Sequence, residues 1–434
     1  MEQSLLIGIV VCFGVAFALL LAGLRIFAVL GLAGIIASVV LLRRTEMLPF
    51  IPYTTANNWP LTVMPLFIFM GSIFLNAGIS GRLYHGATAF LGRIPGGLLH
   101  SNIWSCGIFA AISGSSSGTT ATIGTVALPE LEKRHYDERV ATASIAAGGT
   151  LGSLIPPSVV FIAYGVVTNT SIGRLFFGGL IPGLTLALLY SIIIFFWAVW
   201  RPGIAPTKET ASGKELLLAI KDLIPIFVTI VVVLGGIYMG VFTPTEAAAI
   251  GAVLSLILAF MYRKLSWKVV HKSALDAVGI TAFILMIYVG TSIFSNAMAA
   301  LLIPYKLAQW ALSLPVTPLV ILIFICFFYL MLGCIMESLS AMIMTLPITF
   351  PLAINLGYDP VFFGVLVAIL VQAGLITPPV GIDLYVVQGI RGKGSLGDVF
   401  RGITPFIVAM LVLIALVITF PSLVTWLPSK MIGQ

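Results

Sequence analysis

Two polar clusters interrupt an otherwise apolar chain, and both carry residue types that ligate a hard cation. The first is Ser113-Gly114-Ser115-Ser116-Ser117-Gly118, followed roughly 40 residues later by Pro156-Pro157. The second is Gly333-Cys334-Ile335-Met336-Glu337-Ser338, followed at a similar distance by Thr377-Pro378-Pro379. Proline lacks a backbone donor, so each Pro-Pro pair frees carbonyl groups one turn back. Carbonyls freed at membrane depth, with hydroxyls beside them, form a ligand set for Na⁺. Ser residues of the first cluster supply hydroxyls near the first pair. Thr377 supplies one at the second, together with Glu337 and Ser338. Each cluster also starts a helix, and a helix N-terminus suits a carboxylate or sulfonate. Candidate contacts to such an anion are Ser115, Ser116, Ser117 and Thr119 at the first cluster, and Glu337, Ser338 and Asp383 at the second.

Three acids stand in apolar context: Glu246, Glu337 and Asp383. Intramembrane acids are functional candidates by default. Glu246 is the exception, because Thr243-Pro244-Thr245-Glu246 reads as a helix cap. Glu337 and Asp383 are also the only acid pair that an intramembrane enzyme could use. No phosphate-binding Gly loop occurs, so ATP chemistry is not expected. His85, His100, His135 and His271 are scattered near membrane edges and do not form a metal site.

The elements that must position these clusters are membrane helices. Of 434 residues, 60% are hydrophobic and 9% are charged. The mean hydropathy is +1.15. Soluble domains carry about 25% charged residues. This composition excludes a soluble enzyme, a disordered chain and a nucleic-acid-binding domain; it fits an all-α polytopic protein in a lipid bilayer. The net charge of +7 belongs to the loops. Cys12, Cys106, Cys326 and Cys334 lie in apolar runs without metal spacing. The first apolar run lacks a basic start and a cleavage site, and is expected to be a mature transmembrane helix.

About ten apolar stretches suit a crossing: 5–24, 26–42, 61–79, 140–168, 176–200, 223–241, 244–262, 276–295, 361–388 and 403–427. Regions 98–135 and 316–356 have polar middles and read as helical hairpins that enter and return. With this topology, five of the 22 Lys and Arg residues fall on one side of the membrane and seventeen on the other. The richer side is then cytoplasmic, and both termini are periplasmic.

The chain also repeats itself at an offset of about 220 residues. Ser72-Ile73-Phe74 and Asn76-Ala77 match Ser292-Ile293-Phe294 and Asn296-Ala297; Arg43-Arg44 matches Arg263-Lys264. Pro129, Tyr136-Asp137, Gly152 and Pro156-Pro157 match Pro351, Tyr358-Asp359, Gly374 and Pro378-Pro379. Ser171, Gly173, Phe176 and Gly178 match Ser395, Gly397, Phe400 and Gly402. An odd number of crossings separates equivalent positions, so the repeats are inverted. The expected organisation is a first repeat over 1–200, with hairpin 98–135 and broken helix 140–168. A cytoplasmic linker follows over 201–222. The second repeat covers 223–434, with hairpin 316–356 and broken helix 361–388. Inverted repeats with broken helices at the midplane are a transporter plan.

At FAAISGSSSGTTATIG (109–124), GGTLGSLIPPS (148–158), GVFTPTEAAAIGA (240–252), ITPPVG (376–381) and MPLFIFMGSIFLNAG (64–78), the chain resembles a known family. It resembles the large membrane subunit of tripartite ATP-independent periplasmic (TRAP) transporters over nearly its whole length. The resemblance implies an elevator-type secondary transporter driven by sodium in the bacterial inner membrane. It implies import of an organic anion with a small four-helix membrane subunit and a periplasmic substrate-binding protein. It implies two or more coupling Na⁺ ions. One sodium site would use Ser113, Ser115 or Ser116 with carbonyls of Gly152, Ile155 and Pro156. The other would use the tip from Gly333 to Ser338 with Gly374, Thr377 and Pro378. The competing expectation is a stand-alone sodium/dicarboxylate symporter of the same plan without a binding protein.

Overall fold

The computed structural model describes residues 2–43, 45–205 and 211–431, with side chains from Cys12 onward. Arg44 and Lys208 of the charge count, and 206–210 of the expected linker, lie outside the described residues, as do Met1 and the last three residues. The described residues are helical throughout, with no strand among them. The chain begins with α1 (Glu2–Leu21) and α2 (Ile26–Ile36), which runs on into a π-helical Ala37–Leu42. Next come α3 (Phe50–Ala56), α4 (Val63–Asn76) and α5 (Ile79–Leu91). The first hairpin is α6 (Leu98–Ser113) and α7 (Ser116–Lys133), and the first broken helix is α8 (Glu138–Thr150) and α9 (Val159–Thr168). Long helices α10 (Ile172–Trp200), α11 (Gly213–Tyr238), α12 (Pro244–Met261) and α13 (Trp267–Ala300) follow, then short α14 (Ile303–Ser313). The second hairpin is α15 (Pro318–Ile335) and α16 (Ser338–Asn355); the second broken helix is α17 (Pro360–Leu375) and α18 (Ile382–Arg391). Helices α19 (Leu396–Thr419) and α20 (Ser422–Thr425) close the chain.

Eight described helices are long and apolar enough to cross a membrane, and shorter apolar helices include α6, α9 and α17. The fold is an all-α polytopic membrane protein in which both polar clusters are turns between paired helices.

Matched sequence positions do the same local work. Asp137 accepts from the amides of Arg139 and Val140 and starts α8. Asp359 accepts from those of Val361 and Phe362 and starts α17. Ser171 caps α10 and Ser395 caps α19. The halves also interlock. A Cβ on Gly178 of α10 would stand 2.9 Å from Val361 of α17, and one on Gly402 of α19 would stand 2.3 Å from the Arg139 carbonyl of α8. Helices α8 and α17 are buried along almost their whole length, so the two broken helices form the centre of the molecule.

Several elements differ from the sequence reading. Half of the segment expected as linker is helix: Ser212 and Glu215 form a capping box that starts α11 at Gly213, ahead of its apolar run. The crossing expected at 276–295 extends to 34 residues in α13, because Ser266 caps it at Trp267. The Thr243–Glu246 capping box is present at the start of α12. All four cysteines are free and buried.

On the side where α7 ends and α8 begins, an ionic cluster joins the two halves. Arg391 donates to Glu138 at 2.5 Å and Lys393 to Glu132 at 2.5 Å. Arg139 pairs with Asp398 at 3.3 Å. The Arg391 guanidinium holds the Glu138 carboxyl below its usual range. That contribution is complete above the unfolded carboxylate's value of about 4.3, and is lost as pH falls through the lower folded value. Glu138 is half-exposed, so water screens the pair. Arg391→Ala is expected to cost about 1 kcal/mol and to flatten the loss of thermal stability on acidification. Melting curves across pH test this.

Candidate functional site

The two hairpin tips converge on one cavity of about 310 Å³. Ser113, Ser115, Ser116 and Ser117 of the first tip line it, and Glu337 and Ser338 of the second line it from the other side. Further wall comes from α4 (Ile68, Gly71, Ser72, Leu75), from α13 (Ile280, Phe283, Ile284), and from Ser153 of the first break with Val159 and Val160 of α9. No Lys or Arg lines it.

Each tip is built by an N-cap. Ser115 Oγ accepts from the Gly118 amide at 3.3 Å and starts α7. Glu337 occupies the equivalent place, accepting from the Leu339 and Ser340 amides at 3.0 and 3.2 Å, and starts α16. Glu337 therefore satisfies a helix end as well as facing the cavity.

Behind each tip lies a broken helix in backbone contact with it. A Cβ on Gly152 would stand 2.3 Å from the Ser115 carbonyl oxygen and 2.8 Å from Thr119 Oγ1. One on Gly374 would stand 2.3 Å from the carbonyl carbon of Gly333. Only glycine permits these approaches. A backbone bond closes each junction: Val159 N–H to the Gly114 carbonyl, and Gly381 N–H to the Cys334 carbonyl, both 3.2 Å. The Pro156-Pro157 and Pro378-Pro379 peptide bonds are both cis.

At the first break, Pro156 removes the donor that the Gly152 carbonyl would meet in a helix. Ser113 Oγ pairs with Thr119 Oγ1 at 2.8 Å, so Thr119 is buried behind the tip and does not line the cavity. Gly152, Ile155 and Pro156 also lie behind the tip, outside the cavity lining. At the second break, Thr377 Oγ1 donates to the Ala373 carbonyl at 2.6 Å and keeps its lone pairs. The Gly374 carbonyl accepts the Thr377 amide at 3.0 Å. The two breaks differ in their surroundings. The first is buried throughout, whereas Thr377 is half-buried and Pro378 is exposed. Pro378 and Thr377 do not reach the cavity lining, and neither do Gly333 and Gly374.

Asp383 is fully buried away from the cavity lining, at the start of α18. It accepts from Ser116 Oγ at 2.5 Å and Ser117 Oγ at 2.6 Å. The first tip thus holds an internal carboxylate at the positive end of α7. Two hydroxyls spend their protons on that carboxylate and keep lone pairs for a cation.

Gln372, in the apolar run of α17, was missed by the sequence reading. It is fully buried, and its Nε2 donates to Ser338 Oγ at 3.0 Å. Its Oε1 has no partner among the described residues. A buried amide oxygen without a donor costs free energy, and a cation ligated there would satisfy it. Its signal was a lone amide in an apolar helix. Among the described residues no group of three or more His, Cys, Asp or Glu is placed to hold a metal ion.

The family model for the tripartite ATP-independent periplasmic transporter, DctM component, matches residues 7–423. The chain is 34% identical over 378 residues to the C4-dicarboxylate TRAP transporter large permease protein DctM of Pseudomonas aeruginosa, across 87% of this chain and 88% of that one. It is 33% identical to the sialic acid TRAP transporter large permease protein SiaM of Vibrio cholerae, across 87% and 88%. It is also 33% identical to the isethionate TRAP transporter permease protein DctMQ of Oleidesulfovibrio alaskensis, across 95% of this chain and 65% of that longer one. The structure of the Alcanivorax borkumensis YdaH transporter superposes with a TM-score of 0.65 over 87% of this chain and 88% of that one, at 14% identity, a likeness of fold alone. The relatives are named as transport permeases, which is not the intramembrane enzyme that the Glu337–Asp383 pair left open. The chain belongs to the DctM family, the large permease component of tripartite ATP-independent periplasmic transporters.

Proposed function

We propose that the chain imports an organic anion by sodium symport, with the two hairpins and broken helices moving as a unit against the remaining helices. The observation that carries this is the joint cavity: both tips face it, and the acid Glu337 is the only titratable side chain among its described lining residues. Asp383 adds a second carboxylate directly behind. An organic anion entering such a cavity meets negative charge in a low dielectric, which is costly without cations. Na⁺ bound behind the tips supplies the missing positive charge, and the helix N-termini of α7 and α16 add theirs.

One ion would be held by Ser113, Ser115 and Ser116 with carbonyls of Gly152, Ile155 and Pro156. The other would be held by the tip from Gly333 to Ser338 with Gly374, Thr377 and Pro378, to which the unpaired Gln372 Oε1 is added. Substrate contacts would come from Ser115, Ser116, Ser117, Glu337 and Ser338. The relatives' names point to a C4-dicarboxylate, sialic acid or isethionate as the class of cargo. A small membrane subunit and a periplasmic binding protein would complete the transporter. The side rich in Lys and Arg would face the cytoplasm of a bacterial inner membrane, with both termini periplasmic.

The test is uptake of labelled succinate, sialic acid and isethionate into proteoliposomes holding this chain with its two partners. An inward Na⁺ gradient should drive accumulation of one of them, and an equal K⁺ gradient should not. Equal rates in both gradients would remove sodium from the mechanism. Ser113→Ala and Thr377→Ala each remove one oxygen ligand. They are expected to raise the Na⁺ concentration for half-maximal uptake about tenfold, the value of one hydrogen-bond-sized interaction. Unchanged half-saturation would take these residues out of the sites.

A further inference from the structure

The far end of the first hairpin holds a second polar cavity, of about 260 Å³, between α7, α8 and the end of α18. Its charged lining is two acids, Glu132 and Glu138, and two bases, Arg391 and Lys393. Thr125 and Thr142 add hydroxyls, and Leu128 and Ile390 belong to its apolar lining.

Arg391 differs from the other three. Its side chain is only 8% exposed. Its Nε and Nη2 donate to Glu138 Oε2 at 3.1 and 2.5 Å. Its Nη1 is buried and has no partner among the described residues. The group is also fixed from the loop that follows. A Cβ on Gly394 would stand 2.3 Å from Nη2, so the guanidinium rests directly on glycine. Gln388 Nε2 clamps the same loop by donating to the Lys393 and Gly394 carbonyls, at 3.0 and 3.1 Å. A guanidinium is planar, and with one edge held by Glu138 the other keeps two N–H groups. A buried charged donor without an acceptor costs free energy, and a ligand oxygen would satisfy it.

The other free capacity is of the opposite kind. Thr125 Oγ1 donates to the Ala121 carbonyl and Thr142 Oγ1 to the Glu138 carbonyl, both at 2.7 Å, so each oxygen keeps its lone pairs. Glu132 and Glu138 accept from Lys393 and Arg391 and have acceptor sites left. The lining thus suits a ligand with one anionic acceptor and one cationic donor. Its four charges cancel, so a net anion would leave charge uncompensated and a zwitterion would not.

We propose that this cavity binds a zwitterionic α-amino acid with a short apolar side chain, and that its occupancy tightens Na⁺ at the first tip. The carboxylate meets Arg391 Nη1. The ammonium meets Glu132 and the threonine oxygens, and the side chain lies against Leu128 and Ile390. Two helices link this cavity to the tip. At one end Ser116 and Ser117 of α7 donate to Asp383 of α18. Midway, a Cβ on Gly124 would stand 3.1 Å from Ile390. At the other end Lys393 donates to Glu132. Asp383 and Arg391 are about 12 Å apart along α18. A ligand between the far ends fixes the spacing of the near ends. Binding stands on the cavity alone, whereas the effect on Na⁺ rests on the proposed sodium sites.

Isothermal titration calorimetry of the purified chain tests the site with L-valine. Isovalerate and isobutylammonium, valine without its ammonium and without its carboxylate, are the comparison probes. Valine is expected to bind saturably, and each fragment at least about tenfold more weakly, the value of one lost charged contact. Arg391→Lys keeps the charge and moves the donors, and should weaken valine about 30-fold. Thr125→Val, a milder change, should weaken it about threefold. Valine should lower the Na⁺ concentration for half-maximal thermal stabilisation about threefold, and Na⁺ should tighten valine by the same factor. No valine binding, or binding that both variants leave unchanged, overturns the site. Fragments that bind as tightly as valine, with the same dependence on Arg391, overturn the zwitterion. Valine binding with an unmoved Na⁺ response overturns the link to the tip. A chain with no Na⁺ response at all overturns the sodium sites instead, and valine binding then decides the cavity by itself.

Discussion

Gly374→Ala is expected to reduce the initial rate of uptake in a Na⁺ gradient by at least about 100-fold, and Gly152→Ala to do the same. The reason is distance. The new Cβ of Gly374→Ala would lie 2.4 Å from the Gly333 Cα and 2.7 Å from the Cys334 amide nitrogen, all backbone. The new Cβ of Gly152→Ala meets the Ser115 carbonyl. No side-chain rotation relieves either contact, so the tip must move off the break. Overpacking of this kind costs about 1–3 kcal/mol in a packed interior, which a chain of this size survives. A displacement near 1 Å, however, separates oxygen ligands that a small cation needs at fixed distances. Gly279→Ala is the control, since a Cβ there meets nothing within 4 Å. Uptake assays and Na⁺ titrations of the three purified variants check the expectation. Wild-type uptake by Gly374→Ala would show that the tip and break need no close contact.

Asp383→Asn is expected to lower uptake about 30-fold and to weaken Na⁺ binding, with the fold retained. The carboxylate is fully buried at the start of α18. Its partners are the Ser116 and Ser117 hydroxyls. A buried charge of this kind is costly unless something compensates it. Cations at the adjacent tip would do so, which makes Asp383 the anchor of the cation's field. Asparagine keeps the shape and one acceptor and removes the charge. Glu337→Gln leaves a different cap and serves as the comparison. Unaltered Na⁺ affinity in Asp383→Asn would reduce Asp383 to a tie between α18 and α7.

The sequence exposed those features that rest on local chemistry or repetition. Both hairpins turn at their polar clusters, and both Pro-Pro pairs break helices, because Gly, Ser and Pro act within a few residues of themselves. The Thr243–Glu246 box was legible for the same reason. The equal box at Ser212–Glu215 was passed over, since the polar residues around it read as linker. Asp383 was singled out, but its partners lie 266 and 267 residues away, a distance that no local pattern spans. Thr119 carried the right hydroxyl on the wrong face. Gln372 was hidden by the apolar residues around it. The repeat predicted two equal breaks, yet one is buried and the other reaches the surface. A sequence repeat describes the chain, whereas that inequality belongs to the position of the hairpins against α4 and α13.

The most direct test of the paired cation sites is thermal stability of the purified chain in NaCl and in KCl at equal ionic strength. A ligand that binds only the folded state stabilises it by mass action, about 2.7 kcal/mol at 100 times its dissociation constant. Sites of this kind give a saturable, Na⁺-specific rise in melting temperature that falls in Gly152→Ala and again in Gly374→Ala. Identical melting in the two salts, at every concentration, would contradict them.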